Sequence, residues 1–169
     1  MGPVIAVLFK NRLARFAAGI FLALFIVAID QWTKALVVKS TLAESPMALT
    51  SFFNLVYVEN KGAAFGILAE SGTTGTLLLS AISAIISIVL VGYLWRSAPP
   101  PAESLAVSLI LGGAVGNLID RVRQGYVVDF LDAHWGVYHW PAFNVADSAI
   151  NVGAALLLLI LFAGFSKKH

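Results

Sequence analysis

The sequence predicts an all-α membrane bundle of four transmembrane helices, topped by a small β-structure and a short surface helix. Three observations predict it. The 169 residues are 59% hydrophobic and 12% charged, about half the charge of a soluble domain. Four apolar stretches approach or reach the roughly 20 residues that span a hydrocarbon core. The segments between them are too short to hold a soluble domain, so residues 1–169 read as one integral membrane unit.

The first span is expected at about 14–37, with no charge from Phe16 to Ile29. Lys10, Arg12 and Arg15 precede it as in a signal peptide, but no small-residue cleavage site follows, and the run ends in Asp30-Gln31-Trp32-Thr33-Lys34. It reads as a retained helix. The outer segment 38–73 begins polar and reaches an aromatic, β-branched run at 52–58, expected to be a strand. Glu59-Asn60-Lys61-Gly62 signals a turn. Residues 63–69 are expected to form a short helix on the membrane surface, capped by Asn60.

The second span is expected at about 74–95, without a charge, and the third at about 103–122. Pro99-Pro100-Pro101 makes a stiff turn between them. The outer segment 123–141 carries a second expected strand at 126–131, and Trp135, Tyr138 and Trp140 suit the head-group level. Two bare strands cannot persist in lipid, so they should pair. The fourth span is expected at about 142–165, with Asp147 as its one ionisable residue.

Four spans put both termini on one side. Six basic residues (Lys10, Arg12, Arg15, Arg96, Lys167, Lys168) flank that side, against Lys34, Lys39, Lys61, Arg121 and Arg123 on the other. The bias favours cytoplasmic termini, more so if Lys34 and Arg121 are buried partners. The chain has no cysteine and a net charge of only +2, which excludes disulfides, thiolate metal sites and a nucleic-acid partner and leaves lipid head groups.

The chemistry is concentrated in the last third. Asn144, Asp147, Ser148 and Asn151 fall at i, i+3, i+4 and i+7, on one helix face. A polar stripe in a span must face protein or water, and Asp147 is a costly way to supply interhelical glue. Gly112 and Gly116 permit close helix approach, and Asn117, Asp120 and Arg121 follow within a turn. Asp120 is expected to pair with Arg121 or Arg123. Asp129 has no lysine or arginine within five residues, so packing its strand on the bundle should raise its pKa. Asp132 is placed in solvent. Asp30 and Lys34, four apart, read as a structural tie at the outer end of the first helix.

An aspartyl peptidase needs two carboxylates close enough that only one ionises. Asp120, Asp129 and Asp147 allow three pairings. An arginine would keep Asp120 ionised, which favours Asp129 with Asp147 without deciding it. Other chemistries lack their residues. His134 and His139 have no H-E-x-x-H spacing, and G-x-S-x-G is absent. Neither metal nor organic cofactor is expected. A proton-coupled transporter and a non-catalytic membrane scaffold are the alternatives. No internal symmetry supports the transporter.

Five blocks occur in order: Asp30-Gln31-Trp32-Thr33-Lys34, residues 60–65, Gly116 to Arg121, Val127 to Phe130, and Phe143 to Asp147. Together they resemble the prolipoprotein signal peptidase family, signal peptidase II. The resemblance implies a metal-free aspartyl endopeptidase of the bacterial inner membrane, with its site near the periplasmic face. It implies cleavage of signal peptides from prolipoproteins just before a diacylglyceryl-modified cysteine. By motif position, Asp129 and Asp147 are the catalytic pair, and Asn60, Gly62, Asn117, Asp120, Arg121 and Asn144 bind substrate or support it. The strands become a periplasmic β-cradle, and the surface helix closes over the site. Membrane lipids and globomycin-type inhibitors are the further implied partners, and a monomer is expected.

Overall fold

The computed structural model describes residues 3–62 and 72–166, so the expected surface helix at 63–69 lies outside the described residues. Among the described residues, four helices are long and apolar enough to cross a membrane: α1 (Pro3–Val38), α2 (Gly72–Ser97), α3 (Pro101–Gln124) and α4 (Val145–Ser166). Phe21, Ile88 and Phe162 are 73%, 72% and 69% exposed, which only a lipid surround makes cheap.

α3 is the hub. Half of its membrane window is buried, against 11–17% in the other helices. It packs on α4, α1 and α2, and small residues make this possible. A Cβ on Gly112 would stand 2.8 Å from the Ala23 carbonyl oxygen of α1. One on Gly153 would stand 2.7 Å from the Ala106 carbonyl oxygen of α3. The expected Gly112/Gly116 approach is therefore present, but Gly113, which the spacing did not single out, makes the tightest contact with α4. α3 starts with Pro101 in its first turn and ends at Gly125, whose φ of +83° lets its N–H bond Arg121 O at 3.0 Å.

Four strands form one antiparallel array in the order β1 (Met47–Thr50), β2 (Phe53–Asn60), β3 (Val127–Trp135), β4 (Tyr138–His139). The two expected strands pair as β2 and β3, with Asn60 opposite Val127 and Val58 opposite Asp129. Both run longer than expected, and β1 and β4 were not expected. The all-helical label is thus approximate. Strand alternation turns Val128 and Phe130 to one face, where they pack with Val37 of α1, and Asp129 to the other.

The fourth helix begins later than expected. Residues 142–144 are extended, and Phe143 bridges to Leu131 of β3 through bonds of 2.8 and 3.0 Å. Asn144 then caps α4: its Oδ1 accepts the Asp147 N–H at 2.9 Å, and Asp147 Oδ2 accepts the Asn144 N–H at 3.3 Å. This is the reciprocal box that opens many helices. It moves Asp147 from inside a span to the first turn at its end.

Asp132 also differs from expectation. It is buried, accepting from Asn54 Nδ2 at 2.9 Å and pairing with His139 Nδ1 at 2.9 Å, so it joins β2, β3 and β4. Burial alone would raise its pKa, but the Asn54 and His139 bonds outweigh that and hold it below the usual carboxylate value. Its stabilising effect is therefore present above the ordinary aspartate pKa and lost as pH falls. Asp132→Asn is expected to cost about 1–2 kcal/mol of stability while leaving turnover per folded molecule unchanged. Parallel unfolding and cleavage measurements check both halves.

Candidate active site

The polar residues of α1, α3, α4 and the sheet meet at one end of the bundle. Asp129 of β3 is 1% exposed. Its Oδ1 accepts from Asn144 Nδ2 at 2.6 Å and its Oδ2 from Asn60 Nδ2 at 2.9 Å. Burial first, and then the neighbouring charge of Asp147, push its pKa up to about 7, against the pull of the two asparagines and Lys34. The sequence expectation of a raised value holds, for the reason given.

Asp147 lies in the first turn of α4. Asn117 Nδ2 donates to its Oδ1 at 2.8 Å, and the Asn144 backbone donates to its Oδ2. Asn144, fully buried, thus bonds both acids, through its side chain to one and its backbone to the other. Asn60 Oδ1 accepts the Gly62 N–H at 3.0 Å, a local turn that fixes the amide aimed at Asp129. Arg121 Nη2 donates to Gly62 O at 3.1 Å, and its Nε is buried without a hydrogen-bond partner among the described residues.

Asp120 is not held by an arginine. Lys34 of α1 pairs with its Oδ2 at 2.8 Å, Gln31 Nε2 donates to its Oδ1 at 2.8 Å, and Val128 N–H reaches Oδ2 at 3.3 Å. Arg121, next on α3, bonds Gly62 O, and the pairing of Asp120 crosses helices instead. Asp120 therefore ties the foot of β3 to α1. The Asp30–Lys34 tie is present at 2.8 Å, but it also reaches α4: Asp30 Oδ1 accepts the Ala146 N–H at 2.9 Å. A free helix-start N–H next to Asp147 is thereby satisfied.

Gln31 was missed by the sequence reading. It also donates to Gly116 O at 3.2 Å, where a Cβ on Gly116 would meet Asp30 Oδ2 at 2.7 Å. The signal was a second polar residue beside Asp30 at the end of an apolar run. A cavity of about 630 Å³ lies between the end of α1 and the sheet, lined by Val37, Met47, Leu55 and Phe130. It is on the Phe130 face, and the acids of the polar cluster do not line it. His134 stacks on His139 with ring centres 4.9 Å apart, and no group of three metal-ligating side chains occurs among the described residues.

Four apolar helices with a cluster of carboxylates and asparagine amides at one end define a polytopic membrane protein with a buried polar site. A family model described as signal peptidase (SPase) II matches residues 22–163. The lipoprotein signal peptidase of Syntrophotalea carbinolica is 52% identical over 151 residues, covering 88% of this chain and 92% of its own. That of Burkholderia mallei is 44% identical over 149 residues, covering 88% and 90%. A solved structure titled as a bacterial membrane enzyme, obtained in meso at 2.3 Å, superposes with a TM-score of 0.81 at 34% identity, covering 90% of this chain and 92% of its own. The chain belongs to the signal peptidase II family. It is a peptidase and a multi-pass protein of the bacterial inner membrane, and the transporter and scaffold alternatives fall away.

Proposed function

We propose that this protein is an aspartyl endopeptidase that cleaves lipid-modified prolipoproteins just before the diacylglyceryl cysteine, with Asp129 and Asp147 sharing one proton. The observation that carries it is the double engagement of Asn144, whose side-chain amide bonds the strand acid and whose backbone N–H bonds the helix acid. Asp129, buried where Asp147 is half-buried, holds the shared proton; its burial and the Asp147 charge push its pKa up to about 7. Asp147 is the ionised partner. Its oxygens take one amide and one backbone N–H at the positive end of α4.

In the first step Asp147 takes a proton from water, the water oxygen bonds to the scissile carbonyl carbon, and Asp129 gives its proton to the carbonyl oxygen. In the second, Asp147 returns the proton to the amide nitrogen, the C–N bond breaks, and Asp129 recovers the hydroxyl proton. The pair ends as it began. No metal or cofactor enters the scheme. Asn60, Asn117 and Asn144 hold the carboxylates, and Arg121 holds the Gly62 carbonyl.

The substrate's signal helix and lipid keep it in the bilayer, so a site at a bundle end meets the cleavage point at head-group level. Lys34 is spent in ion pairs and Arg121 on Gly62, which leaves six basic residues on the terminal side against three (Lys39, Lys61, Arg123) on the other. Cytoplasmic termini and a periplasmic site follow from that bias. The unit of function is one chain, since the cluster draws on α1, α3, α4, β2 and β3 of a single copy. Globomycin-type peptides would inhibit by occupying the space between the acids.

The test is signal-peptide release from a lipid-modified prolipoprotein by purified protein across pH. Asp129 must be protonated, so turnover is expected to fall about tenfold per unit once pH is well above 7. A rate that stays level to strongly alkaline pH would take the shared proton away from Asp129.

A further inference from the structure

From the sequence, Lys34 is expected as a tie to Asp30 and as a buried partner rather than a loop charge. All three of its ammonium protons are in fact engaged: Asp30 Oδ2 at 2.8 Å, Asp120 Oδ2 at 2.8 Å and Asn117 Oδ1 at 3.0 Å. The third bond matters for chemistry. We propose that Lys34 is a positioning residue for the acid pair: its ammonium fixes the direction of the Asn117 and Asn144 amides and supplies the positive charge that keeps the pair at one proton. The inference rests on the aspartyl reading above and adds a residue that touches neither the substrate nor the acids.

An ammonium only donates, so the Asn117 atom facing it must be oxygen. The Asn117 NH2 is then turned to Asp147 Oδ1, 2.8 Å away. The same Asn117 oxygen accepts from Asn144 Nδ2 at 3.3 Å, which turns the Asn144 NH2 toward Asn117 and Asp129 Oδ1. The Asn144 oxygen is left to accept the Asp147 N–H and cap α4. Inverting Asn117 would set NH2 against NH2 at Asn144 and oxygen against carboxylate at Asp147. One buried cation thus sets the polarity of a chain that ends on both acids.

The charge works with the geometry. Lys34 is 3% exposed, so its field is poorly screened. The charged groups facing Asp129 are Asp147 from α4, Lys34 from α1 and Arg121 from α3. Asp30 and Asp120 face Lys34 itself. Lys34 draws the Asp129 pKa down, against burial and Asp147, so its loss should displace the proton balance of the whole pair upward.

The test uses the full chain in detergent micelles with a lipid-modified prolipoprotein, measuring kcat and KM across pH for wild type, Lys34→Met and Lys34→Arg. For folded Lys34→Met the expected result is a kcat about 100-fold lower at neutral pH, a KM within a few-fold, and both limbs of the profile moved to higher pH by about one unit. Lys34→Arg should keep the limbs in place, with partial recovery of kcat. A structural tie alone would lower the rate by one factor at every pH. Limbs that stay put in folded Lys34→Met, or a KM that carries the loss, would overturn the proposal. If Lys34→Met does not fold, the same profile is read on Asp30→Asn/Lys34→Met, which removes an unpaired acid. If that also fails to fold, Lys34 is only structural and the proposal falls. Asp129→Asn run alongside separates the two readings: if it stays active the acid pair itself is wrong and this role goes with it, whereas if it is inactive a failed limb shift removes only the role of Lys34.

Discussion

Asp129→Asn and Asp147→Asn are each expected to abolish signal-peptide release, by at least about 1,000-fold, in protein that stays folded. The scheme needs one carboxylate to take a proton and one carboxyl to give it. Asparagine preserves size and can still bond Asn60, Asn117 or Asn144, but it can do neither transfer. Folding should tolerate the change. Asp129 loses a raised-pKa acid that the fold disfavours when ionised, and an asparagine at 147 can still return a bond to the Asn144 N–H. Unfolding temperature and cleavage rate measured on the same preparations check this. A variant that keeps more than a few per cent of wild-type turnover would remove that residue from the pair.

Gly113→Ala is expected to be the most damaging glycine-to-alanine change among the described residues. A Cβ there would overlap the Ala146 carbonyl oxygen and stand 2.7 Å from Ile150 Cγ1. The first neighbour is backbone, so relief requires the α3–α4 spacing to open. Overpacking of this kind costs about 3 kcal/mol. Ala146 lies between Asn144 and Asp147, so an opening of about 1 Å also displaces the acid, worth roughly another 100-fold in rate. Thermal unfolding in detergent and cleavage by the surviving folded fraction read the two losses separately. Wild-type values for both would show that α3 and α4 are not as close as described.

Much of this architecture was legible in the sequence because the bilayer imposes a simple rule of length and polarity. The uncharged runs of α1 to α3 stand out for that reason, and the aromatic, β-branched stretches at β2 and β3 for a similar one. The start of α4 was not legible. Asn144 and Asp147 look like part of a helical polar stripe, and only the Phe143–Leu131 bridge shows that the chain is extended until the cap. β1 and β4 are four and two residues long, below what alternation can reveal.

The cluster divides in the same way. Spacing along one helix exposes Asp30 with Lys34. It cannot expose Lys34 with Asp120 and Asn117, which are more than 80 residues apart in sequence. That is why Asp120 was assigned an arginine partner from its own helix, and why Asp132 was placed in solvent although Asn54 and His139 close over it. That α3 takes a close helix neighbour was visible as the Gly112/Gly116 spacing, which proves to face α1. Which of Gly112, Gly113 and Gly116 meets which helix depends on rotation about the α3 axis, and that is set by tertiary packing.

The shared-proton pair is tested most directly by a structure of the protein bound to a substrate-like peptide whose scissile carbonyl is replaced by a tetrahedral hydroxyl. The account predicts that this hydroxyl oxygen lies within hydrogen-bond distance of a carboxyl oxygen of Asp129 and of Asp147 at once. A hydroxyl that reaches only one of them, or that settles against other side chains while the peptide is bound, would contradict it.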